Sequence, residues 1–298
     1  MVLPAPSSSA QIATESAIQR AGNVSAFPRF GATGPAFPET LPSDIRQISV
    51  GFNQNGHVLA LRKNGTIVAW GANDSGQATP PPLDDITQIS AGWGHSLALR
   101  EDGTVVAWGE NSDGQCNVPA GLEEVIQISA GARHSVALRS DGTVVAWGAN
   151  QVGQSEVPAD LKPVARLGEI FGSHTVVITR DGKLAAWGEN GSQECEVPND
   201  QIGSASVVQV WSGGENYALL DDGRLLHWGR QLRGKAFPPE LSEIDAVFSG
   251  YPAAVIVRDT EGNISISGAA QSRPVFLKEL KNWEDVIVGP QFIYGISE

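Results

Sequence analysis

Apolar positions along the chain come in short runs broken by glycine. One set runs through DDITQISA (residues 84–91) to Gly92, then HSLALR (95–100), then TVVAWG (104–109). Runs of this length bounded by Gly, Asp and Asn read as strands, here named A, B and C. Asp102-Gly103 separates the second run from the third. Asp-Gly or Asn-Gly between two apolar runs is the strongest short hairpin signal. The pair recurs at Asn64-Gly65, Asp141-Gly142, Asp181-Gly182 and Asp222-Gly223, with Glu261-Gly262 as a weaker copy. A type I′ turn, with positive φ at both central residues, is expected at each. A loop such as Asn111-Ser112-Asp113-Gly114-Gln115 and a Val-Pro stretch then lead to the next set.

The whole set is a repeat. Ala-Trp-Gly ends strand C at Trp70, Trp108, Trp147 and Trp187, and His-Trp-Gly does so at Trp228, so the Trp spacings are 38, 39, 40 and 41 residues. Phe30-Gly31 and Ser267-Gly268 stand where worn copies belong, which makes seven. A three-stranded sheet cannot bury both faces alone, so neighbouring units must stack, with the Trp of strand C as the main filler between them. Strand A ends on small residues (Ser90, Ala91, Gly92; Ser129, Ala130, Gly131), as strands converging on an axis require. The expected fold is therefore all-β: a seven-bladed β-propeller with mostly three-stranded blades. The alternative is an open solenoid, and the chain ends argue against it. DVIVGPQFIYGISE at the C-terminus matches strands A and B without a C, while NVSAFPRFG near the N-terminus matches a C without A or B. Pairing the N-terminal strand with the C-terminal strands would close the ring. Residues 1–22 read as a flexible tail or one short helix (Ser9 to Ala21, ended by Gly22), and residues 23–298 as the propeller.

Composition narrows the partners. The formal charge is −13, with Lys and Arg totalling 20 and Asp and Glu 33. Nucleic-acid binding draws most of its affinity from Lys and Arg at phosphates, so an acidic chain without a basic cluster argues against nucleic acid and against an anionic membrane surface. No apolar run approaches the length of a transmembrane helix. The first twenty-two residues lack the basic and continuous apolar regions of a signal peptide. Cys116 and Cys195 occupy the same slot in non-adjacent repeats, too far apart for a disulfide. They are expected to be free thiols, which favours the cytoplasm over secretion, unless a leader has been removed or the chain leaves by another route. A monomer is expected.

The pattern ISAGxxHSLALRxDGTVVAWGxNxxGQxxVP resembles the regulator-of-chromosome-condensation repeat family over about residues 23–298. Its short period is most similar to the three-stranded blades of the propeller-type β-lactamase inhibitory proteins (type II). That resemblance implies a protein-binding propeller, and an inhibitor or docking partner of an enzyme as its sharpest form. Carried over by position, it points to Trp93, Tyr251 and Phe292 as aromatic contacts. Chromosome-condensation regulators themselves imply a second reading, guanine-nucleotide exchange on a small GTPase. That would need a loop or wedge reaching the nucleotide, and no long inter-repeat insertion is visible here. A recognition module of a larger surface or toxin protein is a third.

Strand polarity places the A-to-B loops and the loops after strand C at one end, and the Asp-Gly turns at the other. The first end varies from copy to copy, and variable loops on a rigid scaffold are where binding residues are expected. The candidate partner-binding residues are Asn53, Gln54, Trp93, Arg133, Phe171, Ser173, Glu215, Asn216, Tyr251, Gln291 and Phe292 from A-to-B loops. Asp74, Asp113, Gln151 and Arg233 come from the loops after strand C. Catalysis is not expected. His57, His95, His134 and His174 each precede a Trp by thirteen residues, which reads as a structural device bonding a ring nitrogen to backbone. His227 replaces the usual Ala before Trp228 and reads as packed between blades. No nucleophile elbow, P-loop, HExxH or CxxC is present. The Asn-Asp-Ser-Gly stretch at 73–76 could suit calcium, but the copies at 111–114 and 150–153 lose the pattern, so neither metal nor cofactor is expected.

Overall fold

The computed structural model describes residues 38, 40–52, 56–213 and 215–229, together with the strand segments 19–21, 24–28, 244–250, 254–259, 264–267, 285–288 and 292–296. Among the described residues it is all-β apart from one four-residue helix, Asn199–Ile202. Blade 1 comprises Ile45–Val50, His57–Arg62 and Ile67–Gly71; blade 2, Ile86–Ala91, His95–Arg100 and Val105–Gly109. Blade 3 comprises Val125–Ala130, His134–Arg139 and Val144–Gly148; blade 4, Val164–Leu167, His174–Thr179 and Leu184–Gly188; blade 5, Val207–Ser212, Glu215–Leu220 and Leu225–Gly229. Each is an antiparallel meander with strand B in the middle.

A seven-stranded sheet holds the rest. One unit is Ile244–Gly250, Ala254–Asp259 and Ile264–Ser267; the other is Asp285–Val288, Phe292–Ile296 and the N-terminal Val24–Pro28. A parallel bridge between Gly250 and Val288 joins them. The N-terminal strand pairs with the C-terminal one from Val24 opposite Ile296 to Pro28 opposite Phe292. The described strands thus sort into seven three-stranded units, consistent with seven blades and a closing seam between the chain ends. Gln19–Ala21 is a short strand paired with Val24–Ala26, not the end of a helix. The rest of the expected tail lies outside the described residues.

The hairpin turns depart from type I′. Gly103 has φ +80, but Asp102 is not in the positive-φ region. Gly103 N donates to Arg100 O (3.0 Å), and Arg100 N to Thr104 O (2.9 Å). This is a type I turn followed by a left-handed glycine with a bulge, the usual three-residue hairpin. Asp102 is there for its side chain. Its Oδ1 accepts the N–H and hydroxyl of Thr104 at 2.9 and 2.7 Å. Those bonds, the hydroxyl's first, hold the Asp102 carboxyl below its ordinary range. Each turn also starts the next blade, since Gly65, Gly142 and Gly182 carbonyls accept the N–H groups of Ile86, Val164 and Val207.

Between blades the core is built as the Trp repeat requires. Trp108 of blade 2 packs with Leu59 and Leu61 of blade 1, Trp147 with Leu97 and Leu99, and Trp228 with Val176 and Ile178 of blade 4. Val24, from the N-terminal strand, is buried with Ile45, Ile48 and Val58 of blade 1.

Candidate functional site

The chemistry-bearing repeat residues meet at one end of the blades, and most are consumed by bonds to the next blade. His57 Nε2 lies 2.9 Å from Ser96 Oγ, His95 Nε2 3.0 Å from Ser135 Oγ, His134 Nε2 3.0 Å from Thr175 Oγ1, and His174 Nε2 2.7 Å from Asn216 Oδ1. The partner is a side chain of the following blade, not the backbone expected from sequence. The hydroxyls of Ser96 and Ser135 donate onward to Gln77 O and Gln115 O, so the facing His57 and His95 rings donate from Nε2. Burial pushes His57 down to about 4 and His95 and His134 down to about 3, and it also lowers His174. A neutral ring spent on its neighbour is not poised as a general base near neutral pH. His227 is exposed rather than packed between blades, and its ring stacks beside Tyr217 at 6.3 Å.

The Gly-Gln slot after strand C is the anchor. Gln77 O accepts both Ser96 Oγ and the indole N–H of Trp108 (3.0 Å), and Gln115 O likewise accepts Trp147. In the fourth copy Glu194 takes the slot, accepting Asn216 Nδ2 and Trp228 Nε1 at its carbonyl. Gln193 stands there in place of glycine, with φ +68.

The strand A ends of blades 1 to 4 are equally committed. Strand A residues of blades 1 to 4 line a cavity of about 120 Å³. Gln47, Gln88 and Gln127 each bridge to the next strand A by two bonds; Gln88 donates to Ile128 O (3.2 Å) and accepts Ile128 N (2.9 Å). Ser49, Ser90 and Ser129 accept the N–H groups of Ala91, Ala130 and Ile170. Phe52 and Phe171, on the first and fourth blades, meet with ring centroids 4.2 Å apart, and both also line this cavity.

The variable end gathers part of the expected set. Glu110 N bonds Gly94 O and Ala149 N bonds Arg133 O, so A-to-B loops and post-C loops do share an end. Trp93 stands 38% exposed. Arg133 of blade 3 reaches Asp113 of the preceding loop at 3.3 Å, and Gln151 donates to the other Asp113 oxygen at 3.2 Å. Asp74 is exposed, Ser173 half-buried, and Glu215 half-buried with the Tyr217 hydroxyl donating to it. One assignment changes. Asn216 is fully buried and bonded to His174 and to Glu194 O, so it belongs to the inter-blade lattice rather than a contact surface. Phe171 is half-buried, its ring engaged with Phe52 and the Trp211–Tyr217 cluster. Phe292 begins a strand opposite Pro28. Asn53, Gln54, Tyr251, Gln291 and Arg233 lie outside the described residues. Val152, 46% exposed beside Gln151, was not singled out by sequence, because a lone valine in a turn carries no pattern.

Among the described residues no group of three or more His, Cys, Asp or Glu could hold a metal ion, and no helix is long and apolar enough to cross a membrane. The Asn73 side chain is spent inside its own turn, on Ala78 N and Thr79. Cys116 and Cys195 are free thiols that burial, with nearby carboxylates, pushes up to about 11.

Comparisons with known proteins agree with this architecture. The family model described as the regulator of chromosome condensation (RCC1) repeat matches residues 45–77, 86–115 and 125–154. A search of curated protein sequences gives no match. Among solved structures, the chain is similar to the CRINKLY WD40 ectodomain of the Arabidopsis thaliana receptor kinase ACR4, with TM-score 0.67, 19% identity, and 86% of this chain and 94% of that one covered. Human WBSCR16 is similar at TM-score 0.65 and 18% identity, over 85% and 86%. Yeast RCC1 (Prp20), solved bound to Kap60, is similar at TM-score 0.61 and 20% identity, over 86% and 81%. The chain is an all-β propeller, and its first three blades match the RCC1 repeat model.

Proposed function

We propose that this propeller is a non-catalytic docking protein that holds a protein partner on its variable end. One observation carries the reading: the repeated His, Gln, Ser and Trp residues are spent between blades, while side chains that differ between copies stand at that end. Trp93, Arg133, Gln151 and Val152 are exposed there in loops held between paired strands. Trp and Arg are frequent interface anchors, and a pre-organised face keeps the ordering cost of association low. Yeast RCC1, of similar fold, is solved with a protein, Kap60. The sharpest form is inhibition of an enzyme by covering its site.

Comparative capture with the wild-type chain and a W93A/R133A/Q151A variant tests the docking face. A specific partner should be lost from the variant, and equal capture of that partner by both would sink the proposal. For the inhibitor form, a β-lactamase panel should contain at least one enzyme inhibited at micromolar protein; none inhibited removes it. The RCC1 repeat match favours one further reading, nucleotide exchange, which accelerated nucleotide release from a small GTPase would support.

A further inference from the structure

The turn after strand C is built alike in blades 1 to 4, and the fourth copy is open to a reaction the others resist. Asn73, Asn111, Asn150 and Asn190 hold these turns. Each accepts at Oδ1 the N–H of the residue five places on: Ala78 (2.9 Å), Cys116 (2.8 Å), Ser155 (3.2 Å) and Cys195 (2.9 Å). The residue that follows the asparagine is Asp74, Ser112 and Gln151 in the first three copies, and Gly191 in the fourth. Asn190 and Gly191 are both exposed, and a Cβ at Gly191 would meet nothing within 4 Å. Among the described residues the Gly191 N–H donates to no protein group. The Asn64-Gly65 pair is guarded by contrast. Gly65 is buried, its N–H donates to Arg62 O (3.0 Å), and the backbone of Asp85 from the next blade lies against it. Asn55, which precedes Gly56, lies outside the described residues.

A backbone nitrogen that is neither bonded nor shielded by a Cβ becomes a nucleophile toward the preceding side-chain amide once hydroxide removes its proton. We propose that Asn190 is a site of spontaneous covalent modification, through a succinimide formed with Gly191. The Gly191 nitrogen attacks Asn190 Cγ, the Cγ–Nδ2 bond breaks, and ammonia leaves. Water then opens the five-membered ring at either carbonyl, leaving aspartate or isoaspartate. The Cys195 N–H already points at Oδ1, the oxygen on which negative charge develops during the attack. The side chains of Asp74, Ser112 and Gln151 shield the same attack in the other copies. The product alters the turn. Asn190 Nδ2 donates to Glu196 Oε1 at 3.2 Å, and a carboxylate in its place has no hydrogen to give. The new charge also joins Glu189, Glu194 and Glu196 in one turn, where like charges repel. The Glu194 carbonyl accepts Asn216 Nδ2 and Trp228 Nε1, so the turn that the modification loosens is an anchor between blades 4 and 5.

Incubation of the full chain at 37 °C and pH 8.5, followed by peptide mapping with mass spectrometry that separates isoaspartate from aspartate, reads the rate at each asparagine. Asn190 should convert roughly tenfold faster than Asn64 and Asn111, should give both products, and should convert more slowly at pH 6. G191A, whose new methyl meets open space, should slow conversion at residue 190 roughly tenfold and leave the melting temperature unchanged. N190D, the direct product, should melt below the wild type. N190D/E196Q should recover most of that loss, because an amide at residue 196 donates to the new carboxylate. Conversion at Asn64 or Asn111 as fast as at Asn190 would overturn the proposal. So would undiminished conversion in G191A, an N190D melting temperature equal to that of the wild type, or an intact Asn190 after the time in which a synthetic peptide of residues 186–195 converts.

Discussion

Ser96 illustrates how one small polar residue holds two blades. Its hydroxyl accepts from His57 Nε2 and donates to Gln77 O, and all three residues are buried. Truncation to alanine leaves a buried imidazole N–H without its acceptor, a loss of about 1–3 kcal/mol. S96A should therefore lower the urea midpoint with an unchanged m-value. The same rings set an acid limit. An imidazole with a folded-state pKa of about 3 or 4 against an unfolded value near 6.5 binds a proton more readily in the unfolded chain. Its contribution is fully present above about pH 6.5 and is lost as pH falls through the folded-state values. Unfolding free energy should decline from pH 6.5 toward 4 with a slope approaching about 1.4 kcal/mol per pH unit for each ring. Denaturation at several pH values checks this; a flat profile over that window would contradict the buried neutral rings. The thirteen-residue offset from Trp identified these histidines as structural, but the sequence pattern carries no sign of what they face. The acceptor lies about forty residues away on another blade, and only the stacking geometry brings the two together.

Strand A looked in sequence like a strand made small for an axis, and its atoms have more specific tasks. A Cβ on Gly92 would sit 2.4 Å from His95 Cε1 and 2.6 Å from the Gly131 carbonyl of the next blade. The glycine makes room for the histidine ring and for the neighbouring backbone at once. G92A should cost about 1–3 kcal/mol or more through overpacking, whereas alanine at the open Gly191, where nothing lies within 4 Å, should be close to neutral; thermal melts of the two distinguish them. Gln88 acts like an extra backbone unit, its amide pairing both the N–H and the C=O of Ile128. The strands, their order and the Trp filling were legible because they rest on local alternation and a fixed period. The glutamine bridges and the burial of Asn216 were not, because each depends on atoms supplied by the adjacent blade; the turn subtype rests on local Asp102–Thr104 bonds that the Asp-Gly pair alone does not signal. Blade 4 shows the limit of the repeat. Strand A there breaks at Gly168, and Glu169–Ile170 pairs in parallel with Trp211–Ser212 of blade 5, adding backbone pairing to the side-chain bridges of Arg166 and Ser212.

A ring of blades has no free end only if its first and last strands meet, and the pairing of the N-terminal strand is consistent with that role here. Val24–Pro28 pairs along its whole length with Phe292–Ile296, and Val24 is buried against blade 1. Two long-range contacts, one to the C-terminal strand and one across the seam, thus depend on five residues. In an open stack each unit touches only its neighbours, and cooperativity weakens as terminal interfaces are lost. Deleting residues 1–28 should therefore expose the edge of Phe292–Ile296 and the blade 1 face beneath Val24. An uncovered edge strand is a template for association between chains. The truncated protein should unfold in a broader, earlier transition and form concentration-dependent oligomers. Deleting residues 1–18 spares both contacts and the short Gln19–Ala21 pairing. That shorter deletion should retain the parent melting temperature and elution volume. Calorimetry and light scattering on the two deletions separate the outcomes, and equal behaviour of both would show that the ring does not need its N-terminal strand.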